Sequence, residues 1–183
     1  YSINYGLLEL TEGLSQSDRL IQLLKPQLSQ IALEHRITTT LWRRIGEDRA
    51  VLVDRTYADS AVRIHMPIGQ RLPIFIGAMG RCAASTSGLS KEAIRQKFIS
   101  LRWENPPEFE EFWDDVGRAQ TLGYAIDRDH FVRGVTSVAA PVLFDSSGQL
   151  TLIASAIGFS GQFNGATLNA LAKELLEVRD SSR

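Results

Sequence analysis

The chain has one cysteine, three histidines and no excess of either charge, and each shortage removes a class of answer. A single thiol, Cys82, cannot build an internal disulfide framework, and it fits a reducing, cytoplasmic setting. Lys and Arg number 20 against 21 Asp and Glu, a net charge of -1, so DNA or another polyanion is not expected to bind this chain by itself. No apolar run approaches the ~20 residues of a membrane span, and no membrane association is expected. The start, Tyr1-Ser2-Ile3-Asn4-Tyr5, has neither a basic secretory region nor an initiating Met, and reads as part of something longer. Internal repeats and low-complexity tracts are also missing.

Catalytic signatures are equally scarce. There is no Ser-His-Asp order, no metal-ligand spacing and no phosphate loop, so neither an enzyme nor a bound cofactor is expected. Asp127 and His130 stand three apart, but without a Cys or second His nearby in sequence a solvated loop accounts for them better than a metal. Cys82 forms no nucleophile motif with any histidine, and a buried, inert thiol is its expected state.

What is present is an ordinary globular composition, 44% hydrophobic and 22% charged over 183 residues, enough for one well-buried domain. Residues 6–36 read as helix, with Leu20, Leu24, Leu28 and Ile31 on one stripe and Pro26 expected to split it into two pieces. Ile37 to Trp42 and Ala50 to Val53 read as a hairpin around Gly46-Glu47-Asp48-Arg49, with a third strand at Ala61 to Met66. Pro67 and Pro73 bracket a loop. Ile74 to Ser85 reads as a short buried helix whose glycines, Gly77 and Gly80, imply close approach. Ser90 caps a helix to about Leu101, and Pro106-Pro107 opens another that buries Phe109, Phe112, Trp113, Val116 and Ala119 and stops at Gly123.

From Tyr124 the period becomes that of strands. Val135 to Leu143 and Leu150 to Ile157 form a central hairpin around Asp145-Ser146-Ser147-Gly148, and Asn164 or Thr167 caps a last helix through Leu168, Leu171, Leu175 and Val178. This order is not a βαβ alternation. It predicts an α+β domain in which a curved antiparallel sheet is flanked by helices, a layout that encloses a cavity where the helical layer lifts.

Several motifs carry a resemblance: Gly69-Gln70-Arg71-Leu72-Pro73, Gly77-Ala78-Met79-Gly80-Arg81, Gly123-Tyr124-Ala125-Ile126-Asp127, Gly134 to Pro141, and Ser155-Ala156-Ile157-Gly158-Phe159. In this order and spacing, apart from one extra residue around Leu143-Phe144, they resemble the effector-binding domain of IclR-family bacterial transcription regulators. The resemblance implies a GAF/PAS-like sheet with an N-terminal linker helix, residues 1–16 ending a wing and linker, and an effector domain over 17–183. It implies a sensor of a small organic acid, aromatic catabolite or sugar acid that works as a dimer or tetramer and meets DNA only through an N-terminal helix-turn-helix module. A free-standing GAF-like module is the alternative, and a small hydrolase a weaker one.

The resemblance also assigns site residues. Asp127 stands where the family's acid contacts the effector, Ser137 where the family has Cys or Ser, and Ser155 at the first serine of the family's Ser-x-Ser-Gly-Pro element. Two positions depart from that element, Ile157 for the second serine and Phe159 for the proline. A donor has become a branched hydrocarbon, which favours a ligand with more apolar surface. Ala78 and Met79 precede Gly80 at a helix start that can offer backbone N–H groups to an anion. Ile64, Met66, Leu72 and Phe75 suit a core individually, and the resemblance sets them on the pocket's apolar wall, which Met66, Phe75 and Met79 make adaptable. Strand alternation puts Val135 with Ser137 on one side and Ser155 with Ile157 on one side, so all of these are expected to line one cavity.

Overall fold

The computed structural model describes the backbone of residues 5–60 and 62–181 and the side chains within 18–60 and 62–181. Six antiparallel strands form one curved sheet in the order β3-β2-β1-β6-β5-β4. In chain order these are β1 (Thr38–Ile45), β2 (Arg49–Tyr57), β3 (Arg71–Pro73), β4 (Ala125–Arg128), β5 (Val135–Phe144) and β6 (Leu150–Phe159). Helices α1 (Tyr5–His35) and α5 (Gly165–Asp180) cover one face; α2 (Gly77–Thr86), α3 (Lys91–Ile99) and α4 (Phe109–Leu122) build a layer over the other.

Strand alternation divides the core in two. Leu41, Val138, Ala140, Leu152, Ala154 and Ala156 pack toward Leu24, Leu28 and Ile31 of α1 and Leu171 and Leu175 of α5. Trp42, Leu52, Ala139 and Ile153 face the other way, toward Ala78, Met79, Cys82 and Phe112. Leu24, Leu171 and Leu175 have no exposed surface, and each such side chain contributes roughly 1.5–3 kcal/mol by leaving water.

Three expectations need correction. Pro26 does not split the first helix, because α1 runs unbroken through it. The third strand is not Ala61 to Met66: Ala61 lies outside the described residues, residues 62–66 carry no strand, and β3 lies in the expected loop, pairing Arg71 with Val51 and Pro73 with Arg49. The reason is hydrogen-bond supply. The Tyr57 hydroxyl accepts from Met66 N–H and donates to Met66 O, and Thr38 Oγ1 donates to Ile64 O, so side chains rather than a ladder satisfy this stretch. The buried helix begins at Gly77, after a turn at residues 74–76, because the φ of +64° at Gly77, open to glycine, stops a helix from running continuously in from Ile74. Of the expected wing end and linker over residues 1–16, residues 1–4 lie outside the described residues.

Elsewhere sequence and structure agree closely. Ser90 accepts from Ala93 N–H at the start of α3, Asn164 accepts from Thr167 N–H at the start of α5, and Gly123 closes α4 in the left-handed conformation. The extra residue near Leu143-Phe144 is a register irregularity in the β5–β6 pairing between Pro141 and Phe144.

Candidate ligand site

Residues opposite one another on neighbouring antiparallel strands point to the same side, so the register builds rows across the sheet. One row on the α2 side runs Asp127, Ser137, Ile157, Thr38, Tyr57 from β4 to β2. The next runs Ala125, Ala139, Ser155, Thr40, Arg55, and beyond it lie Ile153, Trp42 and Leu52 in the apolar core. Polar side chains thus sit side by side at one end of a face that is hydrocarbon at the other. Thr38, Thr40, Asp127 and Ser155 are all buried. Trp42 Nε1 donates to Thr40 Oγ1 at 3.0 Å, while the Ser137 and Ser155 hydroxyls make no side-chain hydrogen bond among the described residues.

Helix α2 crosses this end of the sheet. Cys82 Sγ donates to Ala139 O at 3.2 Å, which fixes the helix above the second row, and Ala78 lies one turn earlier on the same helix side. Arg81, with no exposed surface, is the centre of the contact. Its Nη1 donates to Asp127 Oδ1 at 2.7 Å and to Gly77 O at 3.1 Å, its Nε donates to Asp115 Oδ2 at 2.8 Å, and Nη2 lies 3.2 Å from His130 Nδ1. The Phe112 ring is 5.2 Å away and the Trp103 ring 6.0 Å, and Trp103 Nε1 is buried without an acceptor. Asp127 Oδ2 accepts from Phe131 N–H at 3.1 Å, so this acid also holds the β4–β5 loop against Gly77. Asp127 Oδ1 also lies 3.4 Å from His130 Nδ1, while Oδ2 keeps a second lone pair.

The structure brings together Asp127, Ser137, Ser155 and Ile157, with Val135 one pair further along, opposite Phe159. Ile64 and Met66 join them, tied to Thr38 and Tyr57 of the same row. Ala78 and Met79 stand at the α2 start above the sheet. Leu72 and Phe75 are placed apart. Leu72 pairs with Ala50, far along β2 from Tyr57, and Phe75 is core beneath Lys97 of α3. The segment over the row leaves only a recess of about 10 Å³ among Thr38, Ile64, Arg63 and Ile157, and a larger cavity of about 420 Å³ lies outside it between α4 and β4, beside Asp115 and His130.

Sequence reasoning missed Arg81, Arg55, Thr38, Thr40 and Tyr57. One signal was available: Arg81 is the only charge in Gly77-Ala78-Met79-Gly80-Arg81-Cys82-Ala83-Ala84, and a lone charge among small residues requires a buried counter-ion. Cys82 is buried as expected. Burial raises its pKa from the ordinary thiol value of 9.0 to about 12, with the Ala125 backbone and the Arg81 charge pulling more weakly downward. The folded thiol therefore holds its proton where an unfolded one loses it, so its stabilising effect is complete below pH 9 and is lost as pH rises toward 12. A thiolate-selective reagent at pH 8 is expected to leave the folded chain unmodified and to label it in denaturant; fast labelling without denaturant would contradict this burial.

Comparison with known proteins agrees with the fold. The model of the family described as bacterial transcriptional regulator IclR C-terminal matches residues 13–182. The HTH-type transcriptional repressor AllR of Escherichia coli K12 is 24% identical over 191 residues, covering 100% of this chain and 67% of that protein. The HTH-type transcriptional regulator KipR of Bacillus subtilis 168 is 24% identical over 180 residues, covering 94% of this chain and 70% of its own. Among solved structures, the Thermotoga maritima IclR superposes with a TM-score of 0.75 at 16% identity, covering 100% of this chain and 74% of that one. An IclR regulator from Alicyclobacillus acidocaldarius gives 0.73 at 22%, covering 90% and 68%. With a family match across nearly the whole sheet and both helical layers, this chain belongs to the IclR C-terminal family of bacterial transcriptional regulators.

Proposed function

We propose that the polar rows beneath α2 are the effector site of a transcription regulator. The observation that carries this reading is the run of Asp127, Ser137, Thr38, Ser155 and Thr40 on neighbouring strands at the edge of an otherwise apolar core. A buried hydroxyl without a polar partner costs stability, and the buried Ser155 and half-buried Ser137 hydroxyls, which make no side-chain hydrogen bond among the described residues, can find one in a small ligand. The ligand lies along the row. Asp127 accepts from its polar end, Ser137 and Ser155 hydrogen-bond it, and Ile157 with Met79, Ile64 and Met66 covers its apolar part.

Entry requires the 62–66 segment to lift, since this is what closes the recess at Thr38 and Ile157. Binding then shifts an oligomer, a dimer or tetramer of this chain, between arrangements, and α1 passes the change through residues 1–16 to a DNA-binding module. A thermal-shift screen of small organic acids, aromatic catabolites and sugar acids tests the reading, because a ligand at a hundred times its Kd adds ~2.7 kcal/mol of stability. Ser155→Ala is expected to weaken the resulting ligand by ~1 kcal/mol, about fivefold, while changing the unliganded fold less. Ile157→Ser adds a hydroxyl to the row and is expected to shift preference toward more polar acids. Unchanged affinity in both Ser137→Ala and Ser155→Ala would place the ligand elsewhere.

A further inference from the structure

Arg55 extends the second polar row beyond Thr40, and its guanidinium has no acid to meet. Nη1 is buried and finds no hydrogen-bond acceptor, and among the described residues Arg55 makes no ion pair. Its one defined neighbour is an aromatic face, with the guanidinium carbon 4.9 Å from the Tyr57 ring centre. A second guanidinium, Arg63, lies 4.9 Å from the same ring centre and also makes no ion pair among the described residues. Two cations therefore converge on one ring without an anion between them. His65, stacked on Tyr57 at 5.7 Å and hydrogen-bonded to its hydroxyl, adds no negative charge.

This arrangement is costly unless it has a use. Like charges repel, and a partly desolvated guanidinium donor without an acceptor loses hydration without compensation. The fully buried cation Arg81 is treated differently: it meets two carboxylates and a carbonyl. The contrast marks Arg55 as a donor directed at something from outside the chain.

We infer that Arg55, supported by Arg63 across the Tyr57 ring, is an oxyanion subsite that takes the carboxylate of a small organic acid. The inference rests on the effector site proposed above and fixes how its ligand is oriented. The acid group lies over β2, and the remainder of the molecule crosses Thr40 toward Ser155. Neighbouring strands are ~4.8 Å apart, so the two strand steps from Arg55 to Ser155 fit a molecule of a few carbons. A planar guanidinium edge matches the two oxygens of a carboxylate, and phosphate shares enough of that chemistry to be compared directly.

The test is titration of the ¹⁵N-labelled chain with acetate, malonate and inorganic phosphate, following the Arg55 Nε–H resonance and the Ser137 and Ser155 amides. Saturable movement of the Arg55 resonance is expected, larger for malonate than for phosphate. Arg55→Gln is expected to weaken binding roughly tenfold or more, with Arg55→Lys keeping part of it. A thermal midpoint near the parent's shows that the Gln variant is folded. Stronger Arg55-dependent binding of phosphate would keep the oxyanion subsite and replace the carboxylate. The inference is overturned if an anion moves Ser137 and Ser155 but not Arg55 and binds Arg55→Gln as well as the parent, an outcome that leaves the effector site intact. It is equally overturned if none of the three anions binds saturably while the organic screen yields a neutral ligand. Failure of every acid, catabolite and anion at both groups of resonances would instead remove the effector site itself.

Discussion

Replacing Arg81 by methionine is expected to remove about 3–5 kcal/mol of folding stability, lowering the thermal midpoint by roughly 6–20 °C. The size follows from what the change leaves behind. Asp127, with 3% of its side chain exposed, and Asp115, with 20%, share this guanidinium, and Gly77 O is held by the same group. A methionine fills much of the volume beside Phe112 but supplies no donor, so a buried carboxylate is left uncompensated. The surface pair Arg95–Glu110 is the contrast: both partners are well exposed, and breaking it is expected to change stability by at most about 1 kcal/mol.

Lysine at 81 keeps the charge but offers a single ammonium where a fork reaches two carboxylates on different elements, so it recovers only part of the loss. Adding Asp127→Asn to Arg81→Met removes the stranded charge while keeping an acceptor for Phe131 N–H. The double variant is therefore expected to lose clearly less than the two single losses together. Urea denaturation of the four proteins measures this. A loss below about 1 kcal/mol for Arg81→Met would mean that the buried pair does not hold α2 to β4.

The elements that were legible in the sequence are those whose signals are local. Ser90, Gly123, Asn164 and the Asp145 to Gly148 turn act within a few residues of themselves, and the structure finds each at the end of its predicted element. The site was legible only as far as alternation within one strand reaches. Ser137 with Val135, and Ser155 with Ile157, follow from period two, but that both pairs face Asp127 depends on register, which no single strand encodes.

What the sequence hid was long-range. Thr38 and Thr40 sit in a β-branched run that reads simply as strand, and only the pairing of β1 with both β6 and β2 sets Thr40 between Ser155 and Arg55 and Thr38 between Ile157 and Tyr57. The 62–66 stretch has the composition of a strand, and its path is decided instead by Tyr57 and Thr38, through contacts that span nine and 26 residues of sequence. Leu72 and Phe75 were grouped with the site by resemblance, yet β3 draws Leu72 to Ala50, half-buried against the core in which Phe75 lies. Tertiary pairing, rather than propensity, decides each of these positions.

Gly80→Ala is expected to be the most damaging glycine-to-alanine change among the described residues, and Gly117→Ala to act in the opposite direction. A Cβ on Gly80 would stand 2.0 Å from the Phe75 carbonyl carbon and 2.1 Å from its oxygen, and these are backbone atoms with no rotamer to yield. Gly80 N–H also donates to Ile76 O at 2.8 Å, closing the first turn of α2 directly on the 74–76 turn. Relief therefore means shifting the helix start, which carries Ala78 and Arg81, away from the sheet. The expected cost is about 3 kcal/mol or more, at the upper end for overpacking, because the helix is pinned by Arg81 to Asp127 and by Cys82 to Ala139. In α4, a Cβ on Gly117 meets nothing within 4 Å, so alanine there adds helix propensity without a clash and is expected to stabilise by about 0.5–1 kcal/mol. Because Gly80→Ala displaces the residues that bring α2 to the polar rows, it is also expected to weaken effector binding, which Gly117→Ala leaves unchanged. Parallel denaturation curves decide the matter: if Gly80→Ala unfolds at the parent's midpoint, α2 does not approach the Phe75 backbone as closely as this packing requires.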